Sequence, residues 1–397
     1  MNVKKITSVL LALVILVMAV AMPASAFFKQ ETDKTLRFNE NGKFRILHIC
    51  DIQNGPFLKL ANIEFLKDAI EETQPDLIVL GGDNVNGGAT YGIAAIGIDR
   101  FMSIFESYGI PVAAVLGNHD DEGLSTREFH FKCYEKYDCF VGCAGEDLTG
   151  CGTYNLPIYA NQGDKVLFNL WMFDSLSYNE PAEFPHKEGF MENDLKGYAC
   201  VHKDQIDWYV ETSNELKAAN GGKVVPSMAF QHIVVPEIYD ALVKVPEGTA
   251  GSVGGYKLPA GATGEMDESP CPPQYSNGQF DAMRKQGDVV AMFFGHDHTN
   301  TYVVNHKGID LVNTPGQGFG SYGNDNRGVR IIDLDVKNLK TYDTEILYWR
   351  EYYDADNDVM MQYRFIINGN EFSTAEKFDA FIGYVKEYFN RLLSSMF

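Results

Sequence analysis

The chain has 397 residues, 45% of them hydrophobic, and its 54 Asp and Glu against 33 Lys and Arg give a formal net charge of −21. That hydrophobic share supports a buried core and excludes wholesale disorder. The acidic balance, with no Lys/Arg run, excludes nucleic-acid wrapping and electrostatic attraction to a membrane surface.

Lys4 and Lys5, an apolar run from Ile6 to Met22 and the A-x-A site Ala24-Ser25-Ala26 read as a secretory signal. Residues 1–26 are therefore expected to be a signal peptide, with a retained membrane anchor as the alternative. Cleavage would leave no membrane association and place the product outside the cytoplasm, secreted or in the cell envelope. It would also remove Lys4 and Lys5 and make the mature chain more negative.

Residues 44–50 predict a buried strand, and Leu60, Ile63, Leu66 and Ile70 recur at helical spacing. Residues 76–80 predict a second strand, 92–108 a helix and 111–116 a third strand. This βαβαβ order implies an α/β fold with parallel strands and helices packed on the sheet. Runs at 166–173, 224–230 and 289–294 predict further sheet strands. Those at 302–304, 329–334 and 344–348 follow without long helices, which points to a more antiparallel second half. Residues 120–165 and 236–275 are long insertions, the first holding most of the cysteines. The second is rich in Gly and Pro and reads as a flexible loop of the kind that can serve as a lid.

Towards the end, Asp354, Asp356 and Asp358 begin like an EF-hand loop. Val359 and Phe365 stand where that loop needs Gly and Glu, so an acidic linker is expected. Ser373 and Glu376 form a capping box before an amphipathic helix bearing Phe378, Phe381, Val385, Tyr388 and Leu392 on one face. Cys50 reads as a small buried residue. Cys133, Cys139, Cys143, Cys151, Cys200 and Cys271 form an even set in an exported chain, so up to three disulfides are expected.

The chemistry-bearing residues fall just beyond the C-terminal ends of apolar runs. They are Asp51-Ile52-Gln53, Gly81-Gly82-Asp83-Asn84, Gly117-Asn118-His119-Asp120, Gln231-His232 and Gly295-His296-Asp297-His298. Open α/β sheets build sites at the carboxyl ends of strands, so these five turns should converge. Carboxylate, amide and imidazole donors without thiolate suit Fe, Mn, Zn or Co. Two such cations about 4 Å apart can clamp a phosphoryl group and activate water. Singly, each residue is an ordinary turn former. Together, four of the nine histidines fall in these turns. His48 reads instead as a core residue, and His130, His186, His202 and His306 lack ligand-type neighbours. Trp171 and Trp208 should pack on the sheet, and Asp174 reads as a turn residue.

Asp51-x-Gln53, Gly82-Asp83, Gly117-Asn118-His119-Asp120, His232 and Gly295-His296-x-His298 resemble the five blocks of the calcineurin-like metallophosphoesterases. The likeness spans roughly residues 44–315. The segment 198–209, with Asp204-Gln205 and Trp208-Tyr209, resembles the purple-acid-phosphatase-like branch, and the Asp-x-Gln block also resembles ADP-ribose/CDP-alcohol diphosphatases. The resemblance implies a four-layer α/β/β/α sandwich with two central mixed sheets over residues 27–350, followed by a linker and helix over 351–397. It implies two metal ions, Fe, Mn or Zn. Asp51 and His298 would hold the first, Asp83 would bridge, and Asn118, His232 and His296 would hold the second. Gln53 stands where the family has a metal-binding histidine and would be a weaker ligand to the first metal. His119 would contact substrate oxygens and assist the leaving group, oriented by Asp120. Asn86 replaces the tyrosinate of coloured purple acid phosphatases, so a colourless protein is expected. The implied activity is hydrolysis of a small phosphate ester, a monoester first, by attack of a metal-bound hydroxide. Phosphodiesterase or diphosphatase activity, or non-catalytic binding of a phosphorylated ligand, are the alternatives.

Overall fold

The computed structural model describes residues 35–55, 60–145, 148–178, 197–353, 358–368 and 372–394. The expected signal peptide, most of the acidic linker and His186 lie outside them. Along the chain run β1 (Lys43–Ile49), α1 (Leu60–Thr73), β2 (Leu77–Gly81), α2 (Tyr91–Tyr108), β3 (Val112–Val115), α3 (Arg127–Tyr134), β4 (Tyr154–Tyr159) and β5 (Val166–Met172). Next come α4 (Lys203–Ala219), β6 (Ser227–Phe230), α5 (Ile238–Ala241), β7 (Val243–Lys244), β8 (Tyr256–Lys257), α6 (Gln279–Gln286) and β9 (Val289–Phe294). The remainder is β10 (Val303–His306), β11 (Ile309–Asn313), β12 (Gly328–Asp335), β13 (Asp343–Tyr348), α7 (Val359–Asn368) and α8 (Thr374–Ser394).

These strands build a five-stranded sheet ordered β13-β12-β1-β2-β3 and a six-stranded sheet ordered β10-β11-β9-β6-β5-β4. In the first, β1, β2 and β3 are parallel, and β12 and β13 join antiparallel. In the second, β5, β6, β9 and β11 are parallel, with β4 and β10 as antiparallel edges. The architecture is the expected four-layer sandwich of two mixed sheets flanked by helices. The sheets face each other through aromatic rings: His48 of β1 lies edge-on to Phe230 of β6 at 5.2 Å, and Phe230 stacks on Phe293 of β9 at 5.1 Å. His48 is fully buried there, as expected of a core residue. Trp171 meets Trp208 and Tyr209 of α4 at 5.7 and 4.9 Å, fixing that helix on the outer face of the second sheet.

The antiparallel expectation holds for β10, β12 and β13, while β4 and β11 are additions. Pro157 masks β4 in the sequence, but an edge strand tolerates proline because its outer side needs no donor. The insertion at 236–275 contains α5 and the β7–β8 hairpin. It is pinned to the body where Asn300 Oδ1 accepts the Asp267 and Glu268 amides at 2.9 and 3.1 Å. The capping box forms at α8, with the Ser373 amide donating to Glu376 Oε2 at 2.7 Å and the Glu376 amide to Ser373 Oγ at 3.3 Å.

The disulfide expectation is corrected: among the described residues no disulfide is formed. Cys133, Cys139 and Cys151 are instead part of the apolar core around α2, α3 and β4. Cys200 and Cys271 sit in other surroundings, with Cys200 Sγ accepting from Asn277 Nδ2 at 3.2 Å and Cys271 Sγ beside the Ser269 carbonyl at 3.4 Å. An even cysteine count is a compositional cue, and here burial or a local polar contact accounts for these five thiols. No helix among the described residues is long and apolar enough to cross a membrane.

Candidate active site

Parallel strands in both sheets end on one edge, and the turns that leave them are stitched to one another. The Asp51 amide donates to the Gly82 carbonyl at 3.0 Å and the Gln53 amide to the Asp83 carbonyl at 2.9 Å, tying the β1 and β2 turns. The Gly295 amide donates to the His232 carbonyl at 3.1 Å, tying β9 to β6, and the Gly316 amide to the His298 carbonyl at 3.0 Å. Between the sheets, the Gln317 amide reaches the Cys50 carbonyl at 2.9 Å. The His119 amide donates to Asp83 Oδ1 at 2.7 Å and brings in the β3 turn. Asp51, Gln53, Asp83 and His296 all have positive φ (54°, 43°, 50° and 71°). Such backbone is costly for non-glycine residues and concentrates at functional sites, so the frame holds these side chains against local preference.

All seven expected ligands are buried. Asp83, His232 and His296 offer ligand atoms within 4.8 Å of one another and form a metal-ligand cluster. His232 Nδ1–H donates to the Gly81 carbonyl at 2.9 Å, which turns Nε2 to within 3.1 Å of Asp83 Oδ2 and 3.8 Å of Asp51 Oδ1. His298 repeats the arrangement: Nδ1–H donates to the Tyr322 carbonyl at 2.9 Å and Nε2 lies 3.2 Å from Asp51 Oδ1. Tautomers fixed by backbone carbonyls in this way leave the other nitrogen free to ligate. The Gln53 amide lies 3.5 Å from His298 Nε2.

Four buried atoms on these turns have no partner in hydrogen-bonding geometry: Asp51 Oδ1, Asn118 Oδ1, His232 Nε2 and His296 Nε2. Buried polar atoms are rarely left unsatisfied, and lone pairs left open on adjoining turns are what cations complete. Electrostatics agree. Burial alone would lower the His232 pKa, but the Asp83 and Asp51 carboxylates outweigh it and lift it to about 10. Asp83, although buried, is held below the usual carboxylate range by His232 and His119. Positive charge is thus demanded between these groups, and a proton occupies that place only until a cation displaces it. His296 behaves oppositely, lowered to about 3 by burial and by His232, and so stays a neutral donor.

His119 lies on a single helical turn at the rim, its side chain 36% exposed, with Nε2 3.9 Å from Asp83 Oδ2. Its Nδ1 meets Glu122 Oε2 at 2.5 Å, and Glu122 Oε1 accepts from Tyr178 OH at 2.7 Å. Asp120 points elsewhere: Oδ2 accepts the Gly117 amide at 2.8 Å and Oδ1 the Val85 amide at 3.1 Å, which locks the β2 and β3 turns together. Burial and the nearby Asp83 push the Asp120 carboxyl up to about 7.

Sequence reasoning missed Glu122, although it stands one helical turn beyond His119. It also missed Arg127, whose guanidinium donates to the Gly117 carbonyl at 3.1 Å while pairing with Asp174 at 2.6 Å and Asp121 at 3.0 Å. Asp174 is completely buried in that pair, a larger part than a turn residue plays. Nothing in the local sequence marks such long-range pairs.

This frame and cluster are those of metal-dependent phosphoester hydrolases. Residues 44–300, well over half of the chain, match the family model for calcineurin-like phosphoesterases, and the chain belongs to that family. Among relatives, probable inactive purple acid phosphatase 14 of Arabidopsis thaliana is 29% identical over 338 residues, covering 77% of this chain and 78% of the relative. Probable inactive purple acid phosphatase 29 of the same plant is 27% identical over 359 residues, covering 78% and 84%. A solved dimetal phosphatase from Danio rerio aligns with 77% of this chain and 99% of its own at 12% identity and a TM-score of 0.47.

Proposed function

We propose that the protein is an exported phosphomonoesterase of the purple-acid-phosphatase-like branch that works with two cations, Fe, Mn or Zn. The observation that carries the reading is the set of unsatisfied buried atoms around Asp83, on Asp51, Asn118, His232 and His296. Asp51, Gln53 and His298 would hold one cation, Asn118, His232 and His296 the other, and Asp83 both. When bound, cations here lower the pKa of a coordinated water and neutralise phosphoryl charge. His119, at the rim beside Asp83, would give a proton to the departing alkoxide, its ring held by Glu122. The mature domain is taken as 27–350, with residues 1–26 removed on export.

A second reading is a protein that binds phosphorylated ligands without turning them over. It is favoured by the word "inactive" in the relatives' names and by Gln53 in place of a histidine. Hydrolysis of p-nitrophenyl phosphate with added Mn, Zn or Fe separates the two, run beside a diester and a nucleoside diphosphate. The phosphatase reading expects metal-dependent turnover that Asp83→Asn lowers by about 100-fold or more, the scale of losing a preorganised electrostatic group. Turnover no higher than that of Asp83→Asn with every metal would leave the binding reading standing.

A further inference from the structure

Resting on the phosphomonoesterase reading, we propose that the cleft beside His296 is a leaving-group subsite selecting esters of aromatic or benzylic alcohols. The cleft, about 460 Å³, is walled by Tyr198, Tyr239, Pro236, Pro270, Pro272 and Gln274. That size lies within the range of small-molecule sites. Its wall adjoins the metal-ligand cluster through Tyr198, which packs edge-on against the His296 ring at 4.4 Å and 89°. Tyr198 also stacks on Tyr178 at 5.5 Å, so its ring is held from two sides. The far wall is equally fixed: Tyr239 OH donates to the Pro270 carbonyl at 2.7 Å, and its ring meets Tyr256 at 4.8 Å. The Cys271 amide donates to Asp297 Oδ1 at 3.1 Å, which joins the proline-rich wall to the same turn that carries His296 and His298.

Rigid aromatic and proline surfaces reward a planar apolar group and offer little to a short aliphatic one. Among the described residues that line the cleft, none is Lys, Arg or His, so none of these offers a cation to a second phosphate. A monoester of an aromatic alcohol therefore fits better than a diphosphate.

Benzyl phosphate and ethyl phosphate test this fairly, because their alcohols are of similar acidity and differ mainly in the ring. With the Mn-loaded full chain, kcat/KM should favour benzyl phosphate by about tenfold, the scale of one aromatic contact. Calorimetric binding of benzylphosphonate against ethylphosphonate should show a similar ratio without turnover. Tyr198→Ala should cut both ratios to below about threefold, Tyr198→Phe should keep them, and Tyr239→Ala should lower them from the opposite wall. Equal values for the two ligands in the unaltered protein, or a preference that neither alanine variant moves, would overturn the subsite. If neither ester is hydrolysed, the esterase reading fails, and the phosphonate ratio still decides the subsite.

Discussion

His119 and Glu122 carry the sharpest residue-level expectation. The Glu122 carboxylate fixes the His119 ring through Nδ1, leaving Nε2 towards Asp83. Glu122→Gln keeps the shape and removes the charge, so kcat should fall by about 10- to 100-fold, part of a general acid's contribution, with little change in KM. Steady-state kinetics on p-nitrophenyl phosphate would register it, and an unchanged kcat would remove Glu122 from the account. His48 sets a pH expectation. Burial and the neighbouring Arg330 lower its pKa to about 3 from an ordinary 6.5. The unfolded chain takes up this proton below pH 6.5 and the folded chain resists until about 3, so acidification across that window favours unfolding. Denaturant titrations at several pH values should show His48→Gln with a shallower loss, by up to about 1.4 kcal/mol per pH unit.

At the level of elements, the site depends on turns that leave parallel strands and cannot relax. Gly82 has φ 96°, and a Cβ there would lie 2.7 Å from His232 Nδ1, so only glycine lets the β2 turn meet the β6 turn. The β3 turn is held from behind by the Arg127–Asp174 pair. Arg127→Leu would leave the Asp174 carboxylate buried and unpaired, and should cost about 3–5 kcal/mol. Denaturant unfolding measures it, and Arg127→Leu paired with Asp174→Leu should recover part of the loss. The ligand turns were legible because hydrogen-bonding residue types sit directly after apolar runs, where an α/β sheet opens its crevice. Glu122, Arg127 and Tyr198 were not, because their meaning comes from partners far along the chain or from a ring placed by folding. The same holds for β11 and α7, short segments whose pattern does not separate them from loops. At α8 the capping box was legible, but Phe378 and Phe389 remain 62% and 51% exposed on a helix that packs against α7.

For the whole molecule, two sheets carry one centre. β1, β2 and β3 deliver Asp51, Gln53, Asp83, Asn118 and His119, while β6 and β9 deliver His232, His296 and His298. Neither sheet has a complete ligand set, so the interface between the sheets and the metal centre should stand or fall together. The net charge of −21 makes the surface repel polyanions, so cations bound at the centre would supply the local attraction for a small phosphate ester. Under the proposed function, Asp83 would lie between two cation positions, the first completed by Gln53 rather than histidine. Elemental analysis of the purified protein, joined to anomalous scattering from its crystals, tests this most directly. Two ions per chain flanking Asp83, one beside Asp51, Gln53 and His298 and one beside Asn118, His232 and His296, are the expected result. A single ion, or none after reconstitution with Mn, Zn and Fe, would contradict it.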